Sequence, residues 1–511
     1  MGDNFNKERI IKNTGLLYLR MAFTMWLNLY ATRLVLKNLG VDEMGVYGVV
    51  GSVVGLFSVF TYGITSTIQR FITFELGKNE GNVNKIFCSS LNIIFLLSAF
   101  ILILLETGGL WVLHHHINIP EGSKQAAFWV YQLSVVGSLI NLVSIPYNAL
   151  IIAHERMGAF AGISIIQVVL SCAAAYCLSY FHDHRLIIYS AFLFAIGLFI
   201  RIIYQQYCQQ KFKTEVSYRF MIDKDTMKEM GTFAGITCTS GIILTIASQG
   251  IILSFNLIFG VAINAVYAIA LQLKNSILSF ALNVHKAIAP QITKTYANNE
   301  IEKHKRLIYT GCKIQVFMIL IIMIPFLFRT EYIMQLWLGE VPPYAVTFAQ
   351  CTVFISLTYA FFEPIRTAVL ATNRIKHFML VPDCFYLLAV PMGFLIGKLT
   401  NNPNYMLISV IIMDVVSCGI RTYIASRVSA IKIREVSFQV IVPCCVTLGL
   451  SSIVCYLLST ITLTSIIGIS QLLLANCFVL LIIIYVFGLS STERQHLHSY
   501  ILLKRNSKCQ S

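Results

Sequence analysis

The sequence predicts an all-α integral membrane protein of about fourteen transmembrane helices, arranged as two six-helix bundles plus two C-terminal helices. Three observations carry that prediction. First, of the 511 residues 57% are hydrophobic and 12% charged, with a mean hydropathy of +0.74; a soluble domain carries roughly 25% charged residues. Second, apolar runs long enough to cross a ~30 Å hydrocarbon core recur from end to end, which leaves no room for a soluble domain or a linker. Third, positions 40–85 align without a gap on positions 260–305, an offset of 220 residues: GVDEMGVY answers GVAINAVY, Phe60 meets Phe280, Ile72 meets Ile292, Thr73 meets Thr293 and Lys85 meets Lys305. The 11 identities in these 46 positions exceed the roughly 3 to 4 that so apolar a composition gives by chance. Repeat-built membrane proteins are mostly transporters with the site between the repeats.

In chain order the expected spans are about 14–36, 44–66, 86–112, 127–152, 157–180, 185–207, 232–258, 261–285, 307–328, 345–372, 378–397, 405–427, 437–459 and 465–489. The loops between them decide the topology. Lys7, Arg9 and Lys12 precede the first span, and Arg70, Lys78 and Lys85 follow the second. Lys211, Lys213, Arg219, Lys224 and Lys228 follow the sixth, Lys286, Lys294, Lys303, Lys305 and Arg306 follow the eighth, and Arg494, Lys504, Arg505 and Lys508 close the chain. The opposite loops hold little beyond Lys37, Lys124, Arg185, Arg329 and Lys398. Both termini are therefore expected in the cytoplasm. The net charge of +15 is explained by these loops, which excludes a nucleic-acid partner. No cleavable signal peptide is read, so the first helix is expected to act as the insertion signal. The fourteen cysteines are scattered with no CxxC pair and read as reduced, small apolar residues.

The repeat predicts helices one to six over residues 1–215, seven to twelve over 216–430, and two further helices with a cytoplasmic tail over 431–511. A second echo agrees: Pro146, Ala153 and Arg156 share the spacing P-x6-A-x2-R with Pro364, Ala371 and Arg374. Six helices per copy give both copies the same orientation.

Several short motifs accumulate along this frame. An LG-V-x-x-x-G-V-Y element runs from Leu39 to Tyr47, followed by QRF at Gln69 to Phe71 and ELGK at Glu75 to Lys78. IPYNALIIAHER ends the fourth helix at 145–156, and WLGEVPPYA occupies 337–345. With the repeat and the helix count, the whole chain resembles the polysaccharide transporters of the MATE-like flippase (MOP) superfamily, which include the O-antigen and capsule repeat-unit flippases. The resemblance implies two six-helix bundles in a V, alternating access, and a bacterial inner-membrane location. It further implies a substrate of undecaprenyl-pyrophosphate-linked oligosaccharide flipped from the cytoplasmic to the periplasmic leaflet, and a groove for the lipid tail at the last two helices. A polysaccharide polymerase and glycosyltransferases of the same pathway are the implied partners besides membrane lipids, and no cofactor is implied.

Such a head group is large, polar and doubly phosphorylated, so it needs a wet cavity lined with bases and amides. Lys274 is the first candidate, since it lies about 20 Å from the cytoplasmic end of the eighth span and cannot easily snorkel. Asn264, Tyr267, Asn275 and Gln272 lie on or beside the same polar face of that helix; the alternative is a structural lysine paired with Asp414 or Glu363. Arg20 begins an i, i+4, i+8 stripe with Thr24 and Asn28, although it is close enough to the interface to snorkel. Arg70 at the cytoplasmic mouth suits phosphate or simply topology. Glu363 and Arg366 are one turn apart and can pair, while Asp414 and Arg421 lie two turns apart on one face; they and Asp383 are candidates for ion coupling or for fixed structural pairs. Arg201 and Lys313 read as snorkelling residues. His114, His115 and His116 form a tract without partner ligands, so no metal site is expected. Thr237, Thr245, Ser248 and Gln249 suit sugars or helix packing.

A cation-coupled drug or metabolite exporter of the MATE type is the alternative. It requires buried carboxylates, whereas the balance of Lys274, Arg20, Arg366 and Arg421 against Glu363, Asp383 and Asp414 favours an anion. An enzyme is not expected, because the outer loops are short and carry no DxD or paired-carboxylate motif.

Overall fold

The computed structural model describes residues 2–55, 58–78, 81–111, 124–181, 183–218, 223–338, 341–459, 466–489 and 493–494. Among them there is helix and connecting turn but no β-strand, as a hydrocarbon solvent demands of a chain that must satisfy its own backbone. The histidine tract at 114–116 lies outside the described residues.

Helix α1 (Gly2–Gly55) turns sharply at Gly40, and α2 (Ser58–Gly77) follows. Helix α3 (Val83–Leu104) begins at an Asn82 cap that accepts from the Lys85 N–H at 3.0 Å and runs on into a π-helical turn, Leu105–Gly109. Then come α4 (Lys124–Ala153), α5 (Met157–Cys177), α6 (Arg185–Lys211) and the single turn α7 (Lys213–Val216). Helix α8 (Lys224–Ala297) is continuous over 74 residues except for a kink at Gly260. It is followed by α9 (Ile301–Phe328), α10 (Thr330–Leu338), α11 (Ala345–Ala371), α12 (Lys376–Leu387), α13 (Ala389–Thr400) and α14 (Pro403–Val428). The chain closes with α15 (Ile433–Val436), α16 (Val442–Ser459) and α17 (Ile466–Ile483). Among the described residues ten helices are long and apolar enough to cross a membrane, which makes this a multi-pass membrane protein. The expected first span falls in α1, the second runs from α1 into α2, the eighth falls in the second part of α8, and the fourteenth in α17 with the π-helical turn Ile484–Gly488.

The sharp turns recur at a distance of 217 to 220 residues. Gly40 (φ 78°, ψ 176°) and Gly260 (φ 81°, ψ −177°) share one conformation, a left-handed extended backbone essentially reserved for glycine. Glu155 and Asn373 are both left-handed (φ 58° and 64°), as are His184 and Asn401 (φ 53° and 48°).

The helices form two compact units. The first runs to Thr245 and includes Lys286–Glu300; the second comprises Ile246–His285 and the chain from Ile301 onward. The two ends of α8 belong to the first unit because of what they touch there. The Thr237 hydroxyl donates to the Gly63 carbonyl at 3.2 Å, Phe233 meets Phe71 edge-on at 5.6 Å, and Lys294 pairs with Glu155 at 3.0 Å. The α2–α8 approach is so close that a Cβ at Gly63 would stand 2.6 Å from the Cys238 sulfur and 3.0 Å from its backbone nitrogen. The last two long helices join the second unit, where Cys455 and Leu480 enter its core with Phe255, Tyr267 and Phe348. Lipid is as apolar as leucine, so these helices are held by close packing and by polar contacts rather than by hydrophobic burial.

Candidate functional site

The cations of the first unit rest on aromatic rings. The Arg20 guanidinium, on α1, lies 4.9 Å from the centroid of Phe160 on α5, with Tyr204 of α6 nearby. Arg201 stacks at 4.2 Å over Tyr147 instead of snorkelling. Arg70 is 7% exposed, enclosed by Phe71, Phe74 and Phe233 at 4.4, 4.7 and 5.5 Å. Thr24 bonds back to the Met21 carbonyl at 3.2 Å, and Asn28 is exposed.

Lys286 lies on α8, which continues through it to Ala297. It is exposed and lies close enough to Arg20 for the two charges to act on each other. Among the described residues no carboxylate oxygen comes within 4 Å of its ammonium. Two like charges that act on each other together favour an anion.

The second unit gathers the other candidates around one cavity, lined by Thr358, Tyr359, Phe362 and Glu363 of α11 and by Asp414, Ser417, Cys418 and Arg421 of α14. Its volume, about 30 Å³, admits a water molecule rather than a sugar. Arg421 pairs with Asp383 of α12, which is 2% exposed, rather than with Asp414 seven residues away on its own helix. Asp414 accepts instead from the Thr358 hydroxyl at 2.6 Å. Glu363 and Arg366 do pair, at 3.4 Å. Lys274 is half-buried, its ammonium 5.7 Å from the centroid of Tyr359, with Asp414 the carboxylate whose field it feels. Among the described residues it makes no ion pair within 4 Å, so the expected alternative of a direct pair with Asp414 or Glu363 is not what holds it.

The remaining residues of the polar face separate. Gln272 and Asn275 are exposed. Tyr267 is 5% exposed and packs between Phe255 (4.7 Å) and Phe348 (6.2 Å), so it belongs to the core. The Asn264 side-chain oxygen is buried without a hydrogen-bond partner among the described residues. Thr237 packs against Gly63 and Thr245 bonds to the Gly241 carbonyl, both as helix-packing hydroxyls. Lys313 forms a buried pair with Glu493 at 2.5 Å, which corrects its reading as a snorkelling residue. His285 was not singled out from sequence, yet its ring joins α8 to α9 and α11 (Gln315 at 3.3 Å, Thr367 at 3.0 Å, Glu363 at 3.7 Å). Among the described residues no group of three metal-ligating side chains comes together.

Comparison with solved structures places this architecture. The crystal structure of a MATE point mutant superposes with a TM-score of 0.73 at 13% identity, covering 85% of this chain and 97% of the other. A multidrug-resistance MATE transporter in an outward-facing conformation gives 0.68 at 13% identity over 85% and 96%. This is the fold of the MOP-superfamily transporters. A further MOP member, from Pyrococcus furiosus, described as having a binding pocket of reverse polarity, gives 0.65 at 13% identity over 84% and 97%. By sequence, the chain is 22% identical over 285 residues to EpsK, an uncharacterized membrane protein of Bacillus subtilis (strain 168), and spans 55% of that relative's length. No protein-family model matches the chain.

Proposed function

We propose that this MOP-fold protein is a flippase carrying an undecaprenyl-pyrophosphate-linked oligosaccharide from the cytoplasmic to the periplasmic leaflet of the bacterial inner membrane by alternating access. The observation that carries this reading is that exposed Lys286 in the first unit, on which the charge of Arg20 acts, and Lys274 in the second, over the Tyr359 ring, have no carboxylate within 4 Å among the described residues. A diphosphate supplies the negative charges that such cations favour, and each oxygen can accept a charge-assisted hydrogen bond. Lys274 is the candidate cation of the second unit, and exposed Gln272, Asn275 and Asn28 are the candidate sugar-facing amides. In this reading the chain has fourteen spans in a duplicated six-helix plan with both termini in the cytoplasm. The matched turns at Gly40 and Gly260, Glu155 and Asn373, and His184 and Asn401 support the duplication. Glycosyltransferases would supply the substrate and a polymerase would consume it.

The test is made in a deletion strain, by extracting lipid-linked intermediates and determining their leaflet. Accumulation of an undecaprenyl-linked oligosaccharide facing the cytoplasm, relieved by the wild-type gene but not by Arg20→Gln or Lys286→Gln, is expected. Normal export by both variants at normal protein level would remove the assignment. The MATE-type exporter remains the second reading, favoured by Glu363 and Asp414 beside Tyr359 and Phe362 in the second unit, since carboxylates and aromatic faces suit a cationic cargo. It expects no lipid intermediate and a changed sensitivity to cationic compounds.

A further inference from the structure

The imidazole of His285 is 8% exposed and bridges three helices of the second unit. The Gln315 amide nitrogen of α9 lies 3.3 Å from Nδ1. An amide nitrogen only donates, so Nδ1 accepts and the neutral ring carries its proton on Nε2. That N–H donates to the Thr367 hydroxyl of α11 at 3.0 Å, with a Glu363 carboxylate oxygen 3.7 Å away. The other oxygen of Glu363 is held by Arg366 at 3.4 Å. Gln315 is itself fully buried, and its Oε1 has no hydrogen-bond partner among the described residues. A buried amide oxygen left unsatisfied is costly and calls for a donor.

The unsatisfied oxygen sits on the same amide that faces Nδ1. Turning that amide by half a revolution exchanges donor for acceptor and presents Oε1 to Nδ1. The site then suits an imidazolium, with Nδ1–H donating to Gln315 and Nε2–H directed at Thr367 and Glu363. We propose that His285 is a proton-binding site of the transport cycle, with Gln315 as the amide that accommodates both charge states. The proton adds to the Nδ1 lone pair, and no other bond forms or breaks. Unloaded, the cluster holds one carboxylate and one guanidinium and is neutral. Loaded, it gains a positive charge, and His285 competes with Arg366 for Glu363. A net charge buried among membrane helices is unfavourable, so proton occupancy is linked to whichever conformation lets water or a counter-charge reach the cluster.

The other ionisable groups around this cluster are accounted for. Lys286 follows His285 on its own helix. Asp414 and Arg421 share the small cavity with Glu363, Arg421 being bound to Asp383. Lys313, on the helix of Gln315, is engaged by Glu493. The site is independent of the identity of the cargo.

The full-length protein in proteoliposomes on a solid-supported membrane, with no cargo present, is subjected to pH jumps across the imidazole range, about pH 8 to about pH 5. The wild type should give a transient charge displacement that titrates in this range. His285→Gln should lose that component. Gln315→Glu, which offers an acceptor in either orientation and adds a negative charge, should raise its midpoint by about one pH unit, a tenfold gain in proton affinity. Glu363→Gln should lower the midpoint without abolishing the signal. Retention of the full displacement by monodisperse His285→Gln overturns the proposal, as does its loss in Glu363→Gln alone. If His285→Gln does not fold, an unshifted midpoint in Gln315→Glu overturns it equally. None of these outcomes bears on the leaflet assay, so the two readings fail separately.

Discussion

Three arginines of the first unit and three cations of the second are held differently, although Lys274 of the second unit also rests over a ring and Lys294 of the first also meets a carboxylate. In the first, Arg20, Arg70 and Arg201 lie over the rings of Phe160, of Phe71, Phe74 and Phe233, and of Tyr147. In the second, Arg366, Arg421 and Lys313 meet Glu363, Asp383 and Glu493. A ring face stabilises a guanidinium without neutralising it, so the charge stays available to an anion and is insensitive to pH. A carboxylate cancels the charge, fixes the geometry and brings a second titratable group. The first arrangement suits recognition of a phosphorylated cargo, and the second suits a cluster that responds to protons.

The contrast is tested most strongly at Arg421. Arg421→Met leaves the Asp383 carboxylate buried without its guanidinium and should cost about 3–5 kcal/mol, read as a lowered Tm in detergent. Adding Asp383→Asn should recover most of that loss; a double variant as unstable as the single one would show that the pair acts through packing. Phe160→Leu, which removes the ring beneath Arg20, should cost less, about 0.5–2 kcal/mol, while reducing export more than its small stability change explains. Equal loss of stability and export would mean that the ring matters only to folding. Gly40→Ala and Gly260→Ala compare the units directly. Each forces a side chain into a left-handed backbone, at about 1–2 kcal/mol, and the two should agree; a cost at one site alone would argue against equivalent joints.

The smallest effect concerns the helix start at Asp223. Its carboxylate accepts from the Asp225 and Thr226 N–H groups and pairs with Lys85. The Lys85 ammonium and the Thr226 hydroxyl hold its pKa down at about 2, from 3.8. A depressed carboxylate stabilises the fold above its unfolded pKa and loses that contribution as pH falls from about 4 through about 2. Asp223→Asn should therefore lower Tm slightly at neutral pH, and the difference from wild type should close over that acid window. A difference that persists at lower pH would assign the effect to helix capping rather than to charge.

The all-helical membrane class was legible in the sequence because apolar run length is a local property. The pairing of Glu363 with Arg366 was legible for the same reason, being one turn of one helix. Arg421 shows where such reading ends. Along its own helix Asp414 is the available partner, yet α12 packs beside α14 and supplies Asp383, a choice that no helical period encodes. His285 is not legible because the apolar run fades at 285, where hydropathy alone marks the end of a span. The helix does not end there, since Lys294, Gln291 and Phe233 have partners waiting for both ends of α8.

The matched turns also record a history of length. Their separations fall from 220 residues at Gly40 and Gly260 to 218 at Glu155 and Asn373, and to 217 at His184 and Asn401. Under the proposed duplication, the second copy is two residues shorter than the first between the earlier pair of marks and one residue shorter between the later pair. Under that duplication, side chains at two of these marks would have diverged, from glutamate to asparagine and from histidine to asparagine, with the left-handed torsions kept, and ancestry would be preserved better by the places where the chain must bend than by the residues that line its helices. Hybrids that exchange whole segments between these marks therefore have natural crossover points.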